Sequence, residues 1–329
     1  MLDDLAIDMT SGLTVIAQDG EGIKINEPSL IIVDESDACL HVGNDANAIR
    51  GKTPSGVRVI EPITNGVIAE PEYAEKMLSY FLRDIYSRRN IMRLYPNILA
   101  VIPYHATAAE RKIYEEVLDA AGSKDVSLIP SLLAGAYGAG LKVDACSASV
   151  ICNISKNFTE VGLISMRKVH YASRVNIGYD DLIKAVMQYV KVETEFSIGE
   201  KSAEQAVEHL ASALYFSDED GGESVTVPGT IKRTSSPVEI NLDKLAIHTS
   251  ITPCVEAILL AVREVLEQAK DDMASDLIEN GITVVGQGAS LSKIGDAIES
   301  NTNIRTKIAS NSKTCLAEGA AIVMSKIKN

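Results

Sequence analysis

Tryptophan is absent from this 329-residue chain, and aromatic residues are limited to 4 Phe and 11 Tyr. Leu, Ile, Val and Ala must therefore fill its cores. Basic residues are also in deficit: 31 Lys and Arg stand against 45 Asp and Glu, a formal net charge of −14. No basic run is dense enough to neutralise successive phosphates, which excludes nucleic acid as a partner. The five cysteines, Cys39, Cys146, Cys152, Cys254 and Cys315, form no C-x-x-C pair and have no adjacent histidines, so they read as reduced thiols of a cytosolic protein rather than as zinc ligands. No stretch reaches the roughly 18 apolar residues of a membrane span, and the acidic start MLDDLAIDM lacks the positive charge of a secretory signal.

The chain instead has length and pattern. It is long enough for two domains and needs no metal or disulfide staples. From Leu5, short β-rich runs separated by polar or glycine turns predict a meander. A helix is expected from near Glu70, with Tyr73, Met77, Leu78, Phe81, Leu82 and Ile85 on its buried stripe. Asn97 to Pro103 reads as a buried strand, and Thr107-x-x-Glu110 as a capping box opening a helix to about Ala121. Asp125 to Pro130 is a further short strand, and the small residues of LLAGAYGAGL predict a closely packed helix. This alternation of strands and helices argues an α/β fold.

Further on, helices are expected near Tyr179–Val190 and around Ser202–Tyr215, then an acidic solvated loop at Ser217–Glu223 and a hairpin in SVTVPGTIKRTSSPVEI. Thr252 and Pro253 read as the cap and first-turn proline of a long amphipathic helix. ITVVGQGASLSKI reads as strand, glycine turn and helix.

An internal comparison organises these elements. LAIDMTSGLTV (Leu5 to Val15) matches VICNISKNFTEV (Val150 to Val161) at an offset of 145 residues, pairing Asp8 with Asn153, Thr10 with Ser155, Gly12 with Asn157 and Thr14 with Thr159. Each copy is an apolar strand that enters a polar turn and leaves through a threonine-containing strand.

With LAIDM, KINEPSLIIV, VGNDANAIRGKTP, PITNGVIAE, GAGLKVDA, IGEKSAEQ, VVGQGASLSKI and CLAEGAAIV in place, the chain resembles the MreB family of bacterial actin-like cytoskeletal proteins, of the actin, sugar kinase and heat-shock ATPase superfamily. The resemblance covers essentially the whole length. It implies an α/β fold of duplicated ribonuclease H-like domains around a central nucleotide cleft. The first lobe would span 1–140 with a small subdomain inserted at about 29–67. The second would span 141–329 with an insert at about 180–245, its last helix, about 316–328, returning to the first lobe.

The resemblance also implies a site for ATP and magnesium, and here the chain departs from the family pattern. Where the first phosphate loop would read Asp-Leu-Gly-Thr, Asp8 remains as the metal-associated acid but Thr10 occupies the glycine place, with Ser11 and Thr14 as hydroxyl donors. Where the second would read Asp-Ile-Gly-Gly-Gly-Thr-Thr, the chain has Asn153, Ile154, Ser155, Lys156, Asn157, Phe158 and Thr159. The glutamate that would polarise the attacking water is Ser131, which leaves no catalytic base and so no efficient ATPase activity. On the adenosine side, Gly178, Glu204, Gly286 and Gly288 match the family, Gln287 stands between the two retained glycines in the place of a third as a further candidate contact, and an expected lysine is Val207. The bland alternatives are an acid capping a turn at Asp8, an ordinary polar loop at 153–157, and glycines that serve a tight turn at 286 and 288.

The resemblance further implies self-association into protofilaments through head-to-tail contacts. It implies contact with the cytoplasmic membrane through Ile91, Met92, Arg93, Leu94 and Tyr95, flanked by Arg88 and Arg89, which places the protein in the cytoplasm at the inner face of the membrane. The leading expectation is thus a structural filament protein for cell shape or scaffolding with ATP binding weak or lost. Two alternatives stand beside it: a divergent active ATPase, and a non-polymerising regulator of another actin-like filament.

Overall fold

The computed structural model describes residues 4–87, 95–215 and 222–328. Two compact units emerge: Met1–Ser147 with Ile164–His170 and Ala309–Asn329, and Ala148–Leu163 with Tyr171–Ile308.

The first unit begins with β1 (Leu5–Asp8), β2 (Leu13–Gln18) and β3 (Gly22–Pro28), the predicted meander, with β1–β2 and β2–β3 antiparallel. A small sheet follows, made of β4 (Ile31–Val33), β5 (Cys39–Val42) and, after α1 (Gly43–Ile49), β6 (Arg58–Ile60). Leu30, Ile32 and Ala46 give it its own apolar cluster. The hairpin β7 (Ile63–Thr64) and β8 (Val67–Ile68) leads to α2 (Pro71–Ser87). Pro71 sits at the first helical position, where its missing N–H costs nothing. The predicted stripe is buried: Met77, Leu78, Phe81, Leu82 and Ile85 pack into the first core.

Next come β9 (Asn97–Ile102), α3 (Ala108–Ala121), β10 (Asp125–Pro130) and α4 (Ser131–Gly138). The predicted capping box forms: the Glu110 amide donates to Thr107 Oγ1, and the Thr107 amide donates to the Glu110 carboxylate. The main sheet runs β10-β9-β1-β2-β3, with β9 parallel to both β1 and β10.

The second unit contains β11 (Ser149–Ile154), most of β12 (Thr159–Ser165) and of β13 (Lys168–Val175), α5 (Tyr179–Glu193), β14 (Phe196–Ile198), α6 (Glu200–Leu210), β15 (Ser224–Ile231) and β16 (Pro237–Asp243). There follow α7 (Lys244–Glu267), α8 (Ala274–Asn280), β17 (Ile282–Val285), α9 (Ile294–Thr302) and β18 (Thr306–Ile308). Its main sheet runs β13-β12-β11-β17-β18, with β17 parallel to β11 and to β18. The order repeats that of the first sheet: the strand carrying each copy of the repeat is central, flanked on one side by its turn partner and on the other by a parallel strand. Asp8 pairs with Val101 and Asn153 with Val285 at equivalent places in the two ladders.

The closing helix α10 (Cys315–Lys328) packs on α4 within the first unit. Small residues make this possible. A Cβ on Gly138 would lie 1.9 Å from the Cys315 carbonyl oxygen, and one on Gly319 would lie 1.8 Å from that of Ala134.

Two expectations are corrected. The long helix does not begin at Thr252. It begins at Lys244, capped by the Asp243 carboxylate, which accepts from the Ala246 amide, so Pro253 lies inside it. Proline removes the N–H that would bond the Thr249 carbonyl, and beside it the Thr252 hydroxyl donates to the His248 carbonyl at 2.8 Å. By length and composition α7 is apolar enough to cross a bilayer. Its Ile247, Ile251, Val255, Ile258, Val262 and Val265 nevertheless pack into the second core, as in the core helix of a globular unit. The helix expected to reach Tyr215 ends at Leu210, because the chain turns out to form a bridge between Ser212 and Ser292.

Candidate functional site

The first turn of the repeat is closed by its own acid. Asp8 Oδ1 accepts from the Thr10 amide at 2.8 Å and from Thr10 Oγ1 at 2.7 Å, while Oδ2 accepts from Ser11 Oγ at 3.2 Å. Burial raises the carboxyl above its ordinary value, and these three hydrogen bonds oppose the rise. Gly12, at φ 83, takes the left-handed conformation that lets the chain re-enter β2. Thr14 faces another way, its hydroxyl 3.0 Å from Ser29 Oγ. The structure thus gathers Asp8, Thr10 and Ser11 into one set and leaves Thr14 outside it. Ser131 is fully buried at the start of α4.

The second turn differs at nearly every position. Asn153 is fully buried, and neither its amide nitrogen nor its amide oxygen has a hydrogen-bond partner; Ser155 Oγ is likewise buried and unbonded. The Ser155 amide donates to the Phe158 carbonyl at 2.9 Å, closing the turn. Phe158 is fully buried, and the Arg174 guanidinium lies 4.1 Å from its ring centroid. Arg174 also reaches the buried Glu160 carboxylate at 3.6 Å.

Lys156 and Asn157 face Asp180, with Lys156 Nζ at 3.6 Å and Asn157 Nδ2 at 3.4 Å from Asp180 Oδ2. Thr159 Oγ1 donates to the Ile177 carbonyl at 2.8 Å. Gly178 lies so close to this turn that a Cβ would fall 2.5 Å from the Lys156 carbonyl oxygen and 2.6 Å from the Asn157 nitrogen.

The glycines after β17 serve the same close packing. Gly286 has φ 90, and a Cβ there would lie 2.4 Å from the Ile154 oxygen and 2.6 Å from Asn153 Oδ1; one on Gly288 would meet the Ile154 side chain at 2.2 Å. Gln287 opens the short 3-10 turn that precedes α9. Glu204 is half-buried on α6, and its charge, with that of Glu208, adds to burial in raising the Tyr179 phenol to about 12. Val207, in the place of the expected lysine, is part of the second core.

Of the membrane-loop residues, Ile91, Met92, Arg93 and Leu94 lie outside the described residues, as do Arg88 and Arg89; Tyr95 is half exposed. Among the described residues, no group of three or more His, Cys, Asp or Glu side chains is placed to hold a metal ion.

Sequence reasoning did not single out Asp180, Arg174 or Tyr179. The available signal was Asp180 two residues beyond Gly178, an acid in the first turn of a helix opening directly beside the loop.

Two sheets of identical strand order, each built around one copy of a strand–turn–strand repeat, define an actin-like protein. The profile of the MreB/Mbl protein family matches residues 2–329, and the chain belongs to that family of bacterial actin-like cytoskeletal proteins. It is 33% identical over 330 residues to the cell shape-determining protein MreB of Escherichia coli strain K12, covering 99% of this chain and 94% of that protein. Among solved structures, MreB5 of Spiroplasma citri bound to AMPPNP superposes with a TM-score of 0.92 at 25% identity, covering 100% of this chain and 97% of the other. The MamK double helical filament shares the fold, with a TM-score of 0.80 at 12% identity over 98% of this chain and 99% of that one. Membership implies a nucleotide-binding actin fold.

Proposed function

We propose that this chain is a structural filament subunit of the MreB type, serving cell shape or intracellular scaffolding at the cytoplasmic face of the membrane, with ATP binding weak or lost and no efficient hydrolysis. Its relatives carry the name of cell shape-determining proteins, and the architecture they share supports self-association into protofilaments. One observation carries the nucleotide part. At the position where a metal-holding carboxylate is expected, the fully buried Asn153 presents a neutral amide, which has no charge with which to hold a metal ion.

The residues present are a poor fit for a magnesium-bound triphosphate. Asp8 is already hydrogen-bonded by three donors of its own turn. Side chains stand where glycine would let backbone amides approach phosphate, and a fully buried Phe158 stands where a hydroxyl residue is expected. Ser131 is not a carboxylate base. The glycines at 178 and 286 are accounted for by close backbone packing and that at 288 by the Ile154 side chain, contacts that keep the fold without requiring a ligand.

Phosphate release from magnesium ATP, measured with the purified chain, tests this reading. Background turnover is the expected result. Turnover comparable to that of an MreB with intact loops, abolished by Asp8→Ala, would overturn it. The membrane part rests on Ile91, Met92, Leu94 and Tyr95 with Arg93, a composition suited to an anionic interface. Ile91→Asp combined with Leu94→Asp should reduce sedimentation with anionic liposomes while leaving the circular dichroism spectrum unchanged. Unaltered sedimentation would remove the membrane loop from the account.

A further inference from the structure

The loop at 155–159 is tied to the start of α5 from both backbone and side chains. The Tyr179 amide donates to the Ser155 carbonyl at 3.0 Å and the Asp180 amide to the Lys156 carbonyl at 2.8 Å. Thr159 Oγ1 bonds the Ile177 carbonyl, and both Lys156 and Asn157 reach the Asp180 carboxylate. Gly178 brings the two backbones closer than any side chain would permit.

On the other side of the turn, Phe158 is covered by Arg174, whose guanidinium is held by buried Glu160. A guanidinium over an aromatic face is attracted by the ring quadrupole, and a buried carboxylate holds its cation because an unpaired charge there is costly. Around this one turn the chain therefore brings together two cations, two anions and a buried aromatic ring of its own. The charges are of the two signs that a phosphate and its counter-ion would otherwise bring to a glycine loop.

Resting on the filament reading above, we infer that Lys156, Phe158 and Arg174, held by Asp180 and Glu160, are positioning residues that fix the second loop and the start of α5 without a ligand, so that assembly is independent of nucleotide. A loop already held in one arrangement offers a nucleotide no second arrangement to select. Without differential affinity for two states, a ligand shifts nothing.

The test uses the full chain, freed of nucleotide by EDTA and apyrase, with filaments followed by pelleting and electron microscopy alone and with magnesium ATP or AMPPNP. The critical concentration should agree within about twofold across the three conditions, below the roughly 5–150-fold of ordinary coupling between sites. Lys156→Gly combined with Phe158→Thr should raise the nucleotide-free critical concentration by about fivefold or more. Filaments of the wild type that form only with nucleotide would overturn this inference and leave the filament reading standing. No filaments under any condition would overturn the filament reading itself.

Hydrogen exchange on the wild type keeps the proposal testable if the double variant does not fold. The Ser155, Tyr179 and Asp180 amides should be protected without nucleotide and unchanged by magnesium ATP. Exchange slowed there by the nucleotide would contradict the inference.

Discussion

The two copies of the repeat place a polar residue at the same point of the same sheet topology and treat it in opposite ways. Asp8 ends β1 with a buried carboxylate that three donors of its own turn satisfy. Asn153, at the equivalent point of β11, is equally buried, and its amide has no bonded partner. Five positions on, the contrast reverses: Leu13 is only half-buried, whereas Phe158 is fully buried beneath Arg174. The first turn is held by hydrogen bonds to the side chain of its own acid. The second has the Ser155 to Phe158 backbone bond and is otherwise held from outside, by Arg174 over Phe158 and by contacts to α5. One backbone pattern thus persists through two different sources of cohesion, and the duplicated fold can be retained while the chemistry of one loop is replaced.

The largest expected difference lies in the apolar position. Phe158→Ala should destabilise the chain by about 3–5 kcal/mol, the usual cost of removing a buried aromatic side chain, whereas Leu13→Ala should cost less than half as much because that side chain is already partly in water. Urea denaturation of both variants would show the asymmetry, and equal shifts in midpoint would erase it.

A smaller effect is expected at the polar position. Asp8→Ala strands the Thr10 amide and two hydroxyls in a buried turn, at a cost of about 1–3 kcal/mol. Asn153→Ala removes two unsatisfied atoms and should cost under about 1 kcal/mol. Thermal melts of the pair would sharpen the comparison; a larger loss for Asn153→Ala would mean that its amide has a partner the account does not recognise.

The smallest effect separates the buried acid from an exposed one in the same unit. Asp144 is bonded by Lys326 and Arg167, which hold its carboxyl below the usual 3.8, opposite in direction to the rise that burial imposes on Asp8. A depressed folded-state value contributes stability that is complete above the unfolded value and is lost as pH falls through the folded one. Asp144→Asn should therefore flatten part of the acid limb below about pH 4 and leave stability at neutral pH nearly unchanged, because exposed pairs are worth little. An unaltered acid limb would show that these ion pairs do not persist in solution.

Much of the fold was legible because its signals are local. The meander at Leu5, the stripe from Met77 to Ile85, the Thr107–Glu110 box and the hairpin after Ser224 each depend on neighbours within a few residues. The repeat was legible because strand, turn and strand recur within a dozen residues. The start of α7 was missed because Pro253 imitates a first-turn proline, while the true cap, Asp243, is itself the last residue of β16 and has no glycine or serine to mark it. At the site, Asn153 and Lys156 could be recognised as departures from a pattern. What those departures do could not, because Asp180 and Arg174 meet the loop from 15–25 residues away, with no spacing that marks them. Burial of Phe158 was hidden for a related reason: a residue in a polar turn reads as exposed until the partner that covers it is known.

If the second loop has exchanged ligand for internal contacts, calorimetric titration of the nucleotide-free chain with magnesium AMPPNP should give no saturable heat with the wild type. Tight, saturable binding that disappears in Asp8→Ala would contradict that exchange.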